Sequence, residues 1–102
     1  MRLKKYSLRQ KILIGRKIKK ICKANKVFFL VNDDPLLAKK LDADGCHLGQ
    51  KDMNILQARK LIGKKILGVT CHNSTRLAKL AIKNKADYLA LGAFNVCLLY
   101  TS

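Results

Sequence analysis

The chain has 102 residues, with 22 Lys and Arg against six Asp, a formal charge of +16 and 49% hydrophobic residues. That length allows at most one small domain, and the apolar fraction excludes a disordered basic tail. The sequence contains no run of about 18 uncharged apolar residues to cross a membrane and shows no signal-peptide pattern behind its basic start, so the expectation is a cytoplasmic protein.

Eleven of the 22 basic residues lie within the first 26 positions, interleaved with Leu8, Ile12, Ile14, Ile18, Ile21 and Cys22. This spacing predicts an amphipathic helix with a solvated lysine-rich face; the alternative is a phosphate-binding face, as in a basic nucleic-acid-binding module. Nucleic acid is not the expected partner: 17 of the 22 are Lys, a hydrated point charge with little directional recognition, and no exposed-aromatic RNA-reading motif accompanies them. The cysteines, Cys22, Cys46, Cys71 and Cys97, show no C-x-x-C spacing and read as buried free thiols rather than a zinc or redox centre.

Further along, apolar runs alternate with helical patterns. Val27–Val31 predicts a strand buried on both faces, ending at Asn32-Asp33-Asp34-Pro35, a turn and helix start. A short helix over Leu36–Leu41 leads to a second strand, Cys46–Leu48. A helix from Met53 to Ile62 follows, with Asp52 as its expected N-cap and Gly63 as its end. Ile66–Thr70 is a third strand, His72-Asn73-Ser74 opens another helix, and Tyr88–Leu91 is a fourth strand ending at Gly92. Strand starts recur about every 20 residues, which implies parallel strands joined by right-handed crossovers. A doubly wound sheet and a (β/α)8 barrel both fit. The tight period, short loops and lack of a G-x-G-x-x-G or P-loop favour a partial TIM (β/α)8 barrel of about four consecutive βα units. A complete barrel needs about 200 residues or more.

In such folds chemistry collects at the carboxyl ends of the strands. Asn32, Asp33, Asp34, Gly49, Gln50, Asp52, Thr70 and His72 fall there. Asp33 and Asp52, on successive loops, could share one hard cation such as Mg2+, and Arg2 and Lys4 could hold phosphates at the same rim. Each has a plainer reading: Asp33 and Asp52 as helix caps, His47 as a hydrogen-bonded structural histidine, His72 as a loop residue, and Thr70 as an ordinary strand residue.

Asn32-Asp33-Asp34, then Ala43-Asp44-Gly45-Cys46-His47-Leu48-Gly49-Gln50-Lys51-Asp52-Met53, resembles thiamine-phosphate synthase, with its A-D-G-V-H-L-G-Q-x-D segment. Leu67-Gly68-Val69-Thr70-Cys71-His72-Asn73 is similar to that family's G-V-S-x-H-x stretch, Ala86–Gly92 to its A-D-Y strand, and Arg2-Leu3-Lys4 to the end of its Q-x-R-x-K segment. The resemblance implies a TIM barrel and small-molecule substrates. It implies that a pyrimidine diphosphate couples to a thiazole phosphate, with diphosphate leaving before the thiazole nitrogen attacks. It implies Asp33 and Asp52 as Mg2+ ligands, with Arg2, Lys4 and Asn32 on the diphosphate. Thr70 stands in the family's Ser position as a phosphate hydrogen-bonding group. Thiazole tautomerase relatives share the fold; the retained Asn32, Asp33, Gln50 and Asp52 favour the synthase.

The sequence departs from the family after Gly92, where P-T-x-T-K is replaced by Ala93-Phe94-Asn95 and no lysine follows. The expectation is therefore a partial barrel domain over 1–95 and a non-native or truncated tail over 96–102. A piece of a barrel cut at both ends is expected to lack coupling activity by itself and, with unpaired parallel edges, to be poorly soluble.

Overall fold

The computed structural model describes residues 6–49 and 54–98. Helix α1, Leu8–Ala24, starts at a capping box: Gln10 N–H donates to the Ser7 hydroxyl and Ser7 N–H donates to Gln10 Oε1, satisfying two helix-end donors reciprocally. Of its expected apolar stripe, Ile12, Ile18 and Cys22 pack on the core, whereas Leu8 and Ile21 stay exposed, Ile21 at 62%. The lysine-rich face is solvated, as its spacing predicts.

The strands and helices then alternate: β1 Leu30–Asn32, α2 Pro35–Leu41, β2 Gly45–Leu48, α3 Ile55–Ile62, β3 Ile66–Thr70, α4 Thr75–Lys83 and β4 Tyr88–Leu91. β1 is shorter than the predicted Val27–Val31. Val27 N–H still bonds to Cys22 O at the end of α1, so pairing begins only at Leu30, opposite Gly45. Phe28 is consequently 73% exposed. The helix after β2 is capped by Asn54, whose side chain accepts from Gln57 N. Asp52, the predicted cap, lies outside the described residues, and the helix starts two residues later than expected.

β1 to β4 are parallel and stand in sequence order. A doubly wound sheet reverses its strand order, whereas crossovers of one hand running in one direction keep every helix on the same face. The unreversed order selects the barrel-type architecture of the two that the sequence allows. Val31, Cys46, Leu48, Leu67, Val69 and Leu89 alternate onto the helix-covered face and are buried with Leu37, Leu41, Ile55, Ile62 and Ala81. Leu48, Leu67 and Val31 are almost wholly withdrawn from water, each contributing roughly 1.5–3 kcal/mol. The other face carries Asn32, His47, Thr70 and Tyr88, all half-buried. The predicted burial of both faces therefore holds for one face only.

The two Ala-Asp pairs explain how helices hand over to strands. After α2 and again after α4 a residue enters the left-handed region (Asp42 φ 50°, Lys85 φ 62°). Ala43 and Ala86, both fully buried, then bond back to Ala38 O and Ala81 O. Next, each Asp brackets one residue of the preceding strand segment. Asp44 N–H donates to Phe29 O while its carboxylate accepts from Phe29 N; Asp87 N–H donates to Leu67 O while its carboxylate accepts from Leu67 N. These two carboxylates fasten the amino ends of strands. They belong to the end of the sheet away from the candidate site.

One element departs from the all-parallel expectation. β5, Phe94–Cys97, turns back to pair antiparallel with β4. The two-residue loop Gly92-Ala93 has φ +57° at Gly92, as a primed hairpin turn with glycine in its first position requires. The physical reason is local. Backbone groups on the outer edge of β4 need partners, and the segment that follows is the nearest chain to supply them. Leu98 N–H closes the hairpin on Asp87 O. β5 extends two residues into the segment 96–102, and all four of its residues are exposed.

Candidate active site at the carboxyl ends of the strands

Asn32, Asp33 and Thr70 come together at the carboxyl end of the sheet. Asn32 ends β1 in register with His47, and Thr70 ends β3. Between the cap and ligand readings of Asp33, the geometry decides against the cap. Asp34 caps α2 by accepting from Leu37 N at 3.0 Å. Asp33 takes a left-handed conformation (φ 62°), its N–H donates to His47 O, and its Oδ1 accepts from Gly49 N at 2.6 Å. The carboxylate is thus tied to the loop that leads toward Gln50 and Asp52. Arg2, Lys4, Gln50 and Asp52 lie outside the described residues.

His47 is hydrogen-bonded, as its strand position predicts, and its partners are informative. Nδ1 lies 2.7 Å from the Tyr88 hydroxyl and Nε2 lies 2.7 Å from Thr70 Oγ1. The Tyr88 ring stacks against the imidazole with centroids 5.5 Å apart and planes at 28°. Tyr88 reaches His47 across an entire strand. His47, Gly68 and Tyr88 stand in register on β2, β3 and β4, and a Cβ on Gly68 would collide with the Tyr88 ring. Burial holds the imidazole below its ordinary pKa and raises that of the Tyr88 phenol.

Tyr88 is the residue that motif reading missed. The sequence held part of its signal: the paired Ala-Asp turns put His47 and Tyr88 on the same face of the sheet, while their alignment with Gly68 is set by the register of three strands. His72 has φ 52° and is exposed in the loop before α4, whose cap is Ser74, so its loop reading stands.

Cys46 and Cys71 are buried free thiols, with desolvation pushing Cys46 up to about 11. Cys22 is half-buried, and Cys97 is exposed on β5, a correction to the expectation that all four are buried. Among the described residues no cluster of three or more His, Cys or acidic side chains forms a metal site, and no helix is long and apolar enough to cross a membrane.

The family model described as thiamine monophosphate synthase matches residues 1–97. The chain belongs to the thiamine monophosphate synthase family. It is 67% identical over 94 residues to the thiamine-phosphate synthase of Pelagibacter ubique (strain HTCC1062), a match covering 92% of this chain and 45% of that protein. It is 43% identical over 86 residues to the thiamine-phosphate synthase of Marinobacter nauticus (strain ATCC 700491 / DSM 11845 / VT8), covering 83% of this chain and 39% of that protein. Its structure is similar to thiamine phosphate pyrophosphorylase from Pyrococcus furiosus, with a TM-score of 0.80 at 33% identity, covering 91% of this chain and 46% of that one. The chain thus spans a little under half the length of these thiamine-phosphate synthase relatives.

Proposed function

We propose that this chain carries the metal- and diphosphate-binding rim of a thiamine-phosphate synthase, which couples hydroxymethylpyrimidine diphosphate to thiazole phosphate. In this reaction the bond between the pyrimidine methylene carbon and the diphosphate oxygen breaks, and a bond from that carbon to the thiazole nitrogen forms. Thiamine phosphate and diphosphate are the products. The step is controlled by charge on the departing group, so fixed cations and hydrogen-bond donors matter more than a general base.

The observation that carries this reading is the placement of Asp33. Its carboxylate is anchored through Gly49 N at the carboxyl end of β1, on the rim that bears Asn32 and Thr70. A carboxylate is the hard oxygen donor that Mg2+ selects, and Mg2+ held by few carboxylates completes its shell with water and phosphate oxygens. Asp33 with Asp52 would hold Mg2+, which supplies charge neutralisation when bound. Arg2, Lys4 and Asn32 would bind the diphosphate, and Thr70 would hydrogen-bond a phosphate oxygen. A cytoplasmic setting accords with the four unbridged cysteines.

Calorimetric titration of inorganic diphosphate into the 102-residue chain, with and without Mg2+, tests the assignment. Binding that requires Mg2+ and is lost in Asp33→Asn supports it. Asn keeps an acceptor for Gly49 N and tolerates the left-handed backbone, so the change removes charge with little effect on folding. Binding indifferent to both Mg2+ and Asp33 overturns it.

A further inference from the structure

We propose that His47 is a positioning residue that fixes the Thr70 hydroxyl as a hydrogen-bond donor facing the substrate rim. Only the role of Thr70 toward substrate rests on the reading above; the internal hydrogen-bond order stands on the geometry of three side chains.

A neutral imidazole has one N–H donor and one bare acceptor nitrogen, and the partner of one nitrogen sets the role of the other. Two orders are available to the Tyr88–His47–Thr70 chain. In the first, Tyr88 O–H donates to Nδ1, Nε2–H donates to Thr70 Oγ1, and the Thr70 proton points onward. In the second, Nδ1–H donates to the Tyr88 oxygen and Thr70 O–H donates to Nε2, leaving Thr70 an acceptor only.

The surroundings favour the first order. Tyr88 is half-buried, and among the described residues its hydroxyl has no hydrogen-bond partner other than His47 Nδ1. The second order would leave the phenol proton without an acceptor in a partly desolvated site, which is costly. Each order leaves one hydroxyl proton to a partner outside the trio. The first leaves it on Thr70, which ends β3 at the carboxyl rim, where a phosphate oxygen accepts such a donor but cannot supply one; the second leaves it on Tyr88, whose ring lies back over Gly68.

Gly68 makes the arrangement possible. Tyr88 sits two strands away from His47, and only a residue without a side chain at the intervening register position lets its ring lie across β3. The device therefore needs His47, Gly68, Thr70 and Tyr88 together.

Nitrogen-15 NMR of the His47 ring at neutral pH reads the order directly in the 102-residue chain. The expected result is a protonated Nε2 and a bare Nδ1, with that preference released in Tyr88→Phe, which keeps the stacked ring and reports its own folding in the same spectra. Mg2+-dependent diphosphate binding is expected to weaken about tenfold in Tyr88→Phe and in Thr70→Val, the loss of one hydrogen bond to a charged group. The two changes should not add in the double variant, and Thr70→Ser should retain binding. A ring protonated at Nδ1 overturns the inference. Protonation at Nε2 with diphosphate binding indifferent to Thr70→Val overturns the contact of Thr70 with phosphate, leaving the Asp33 assignment to its own test.

Discussion

The phenol of Tyr88 lies 2.7 Å from Nδ1 of His47, 41 residues earlier in the chain and two strands away in the sheet. The contact crosses β3 at Gly68, where the strand has no side chain to obstruct it. Replacing Gly68 with Ala is expected to push the Tyr88 ring off the sheet and cost about 1–3 kcal/mol, the usual range for overpacking. Chemical denaturation checks this, and the His47–Tyr88 ring contact should disappear from the NMR spectrum of the variant.

His47 and Tyr88 also give the chain a pH window. Burial lowers the His47 pKa, while the Asp33 charge acts in the opposite direction. A histidine with a depressed folded pKa adds stability above its unfolded value of 6.5, and that stability is lost as pH falls through the folded value. The Tyr88 pKa is raised by burial above 10.0, so its contribution is lost as pH rises above that value. The buried Cys46 and Cys71 thiols, also raised by burial, add to the alkaline loss from 9.0 upward. Thermal melts should therefore decline on both sides of a plateau, and Tyr88→Phe should lessen the alkaline decline while leaving the acid one.

The aspartates at the opposite end of the sheet are structural. Asp44→Ala is expected to cost about 1–2 kcal/mol by orphaning Phe29 N. Asp87→Ala should cost more, because Asp87 also pairs with Arg59 at 3.0 Å in a half-buried setting. Urea midpoints of the two variants check the ranking.

Much of this was legible in the chain. Gly63, Ser74 and Pro35 marked helix ends by their own backbone or side-chain chemistry, and the 20-residue rhythm gave the parallel order of β1 to β4. Three features were not. The late start of β1 depends on where Gly45 stands on the neighbouring strand. The return of β5 depends on an unpaired edge, which a local pattern does not contain. The alignment of His47, Gly68 and Tyr88 depends on register, and register is a property of three strands at once.

Thiol chemistry separates the four cysteines. Cys97 is exposed on β5, whereas Cys46 is fully buried with its thiol pushed up to about 11. Alkylation followed by mass spectrometry should modify Cys97 first, Cys22 more slowly, and Cys46 and Cys71 only on unfolding, since the thiolate is the reactive form. Rapid alkylation of Cys46 in the folded chain would contradict the packing of β2.

The position of the cation tests the account most directly, because the two ends of the sheet offer different acids. Asp42, Asp44 and Asp87 lie at the amino ends of the strands, where Asp42 pairs with Lys65 at 2.7 Å and a cleft of about 500 Å³ is lined by Lys19, Lys23, Lys26 and Lys65. Mn2+ added in place of Mg2+ together with inorganic diphosphate should broaden the NMR signals nearest to it. Broadening is expected to centre on Asp33 and Gly49 and to reach Thr70. Broadening centred on Asp42 and Asp44 would contradict that placement.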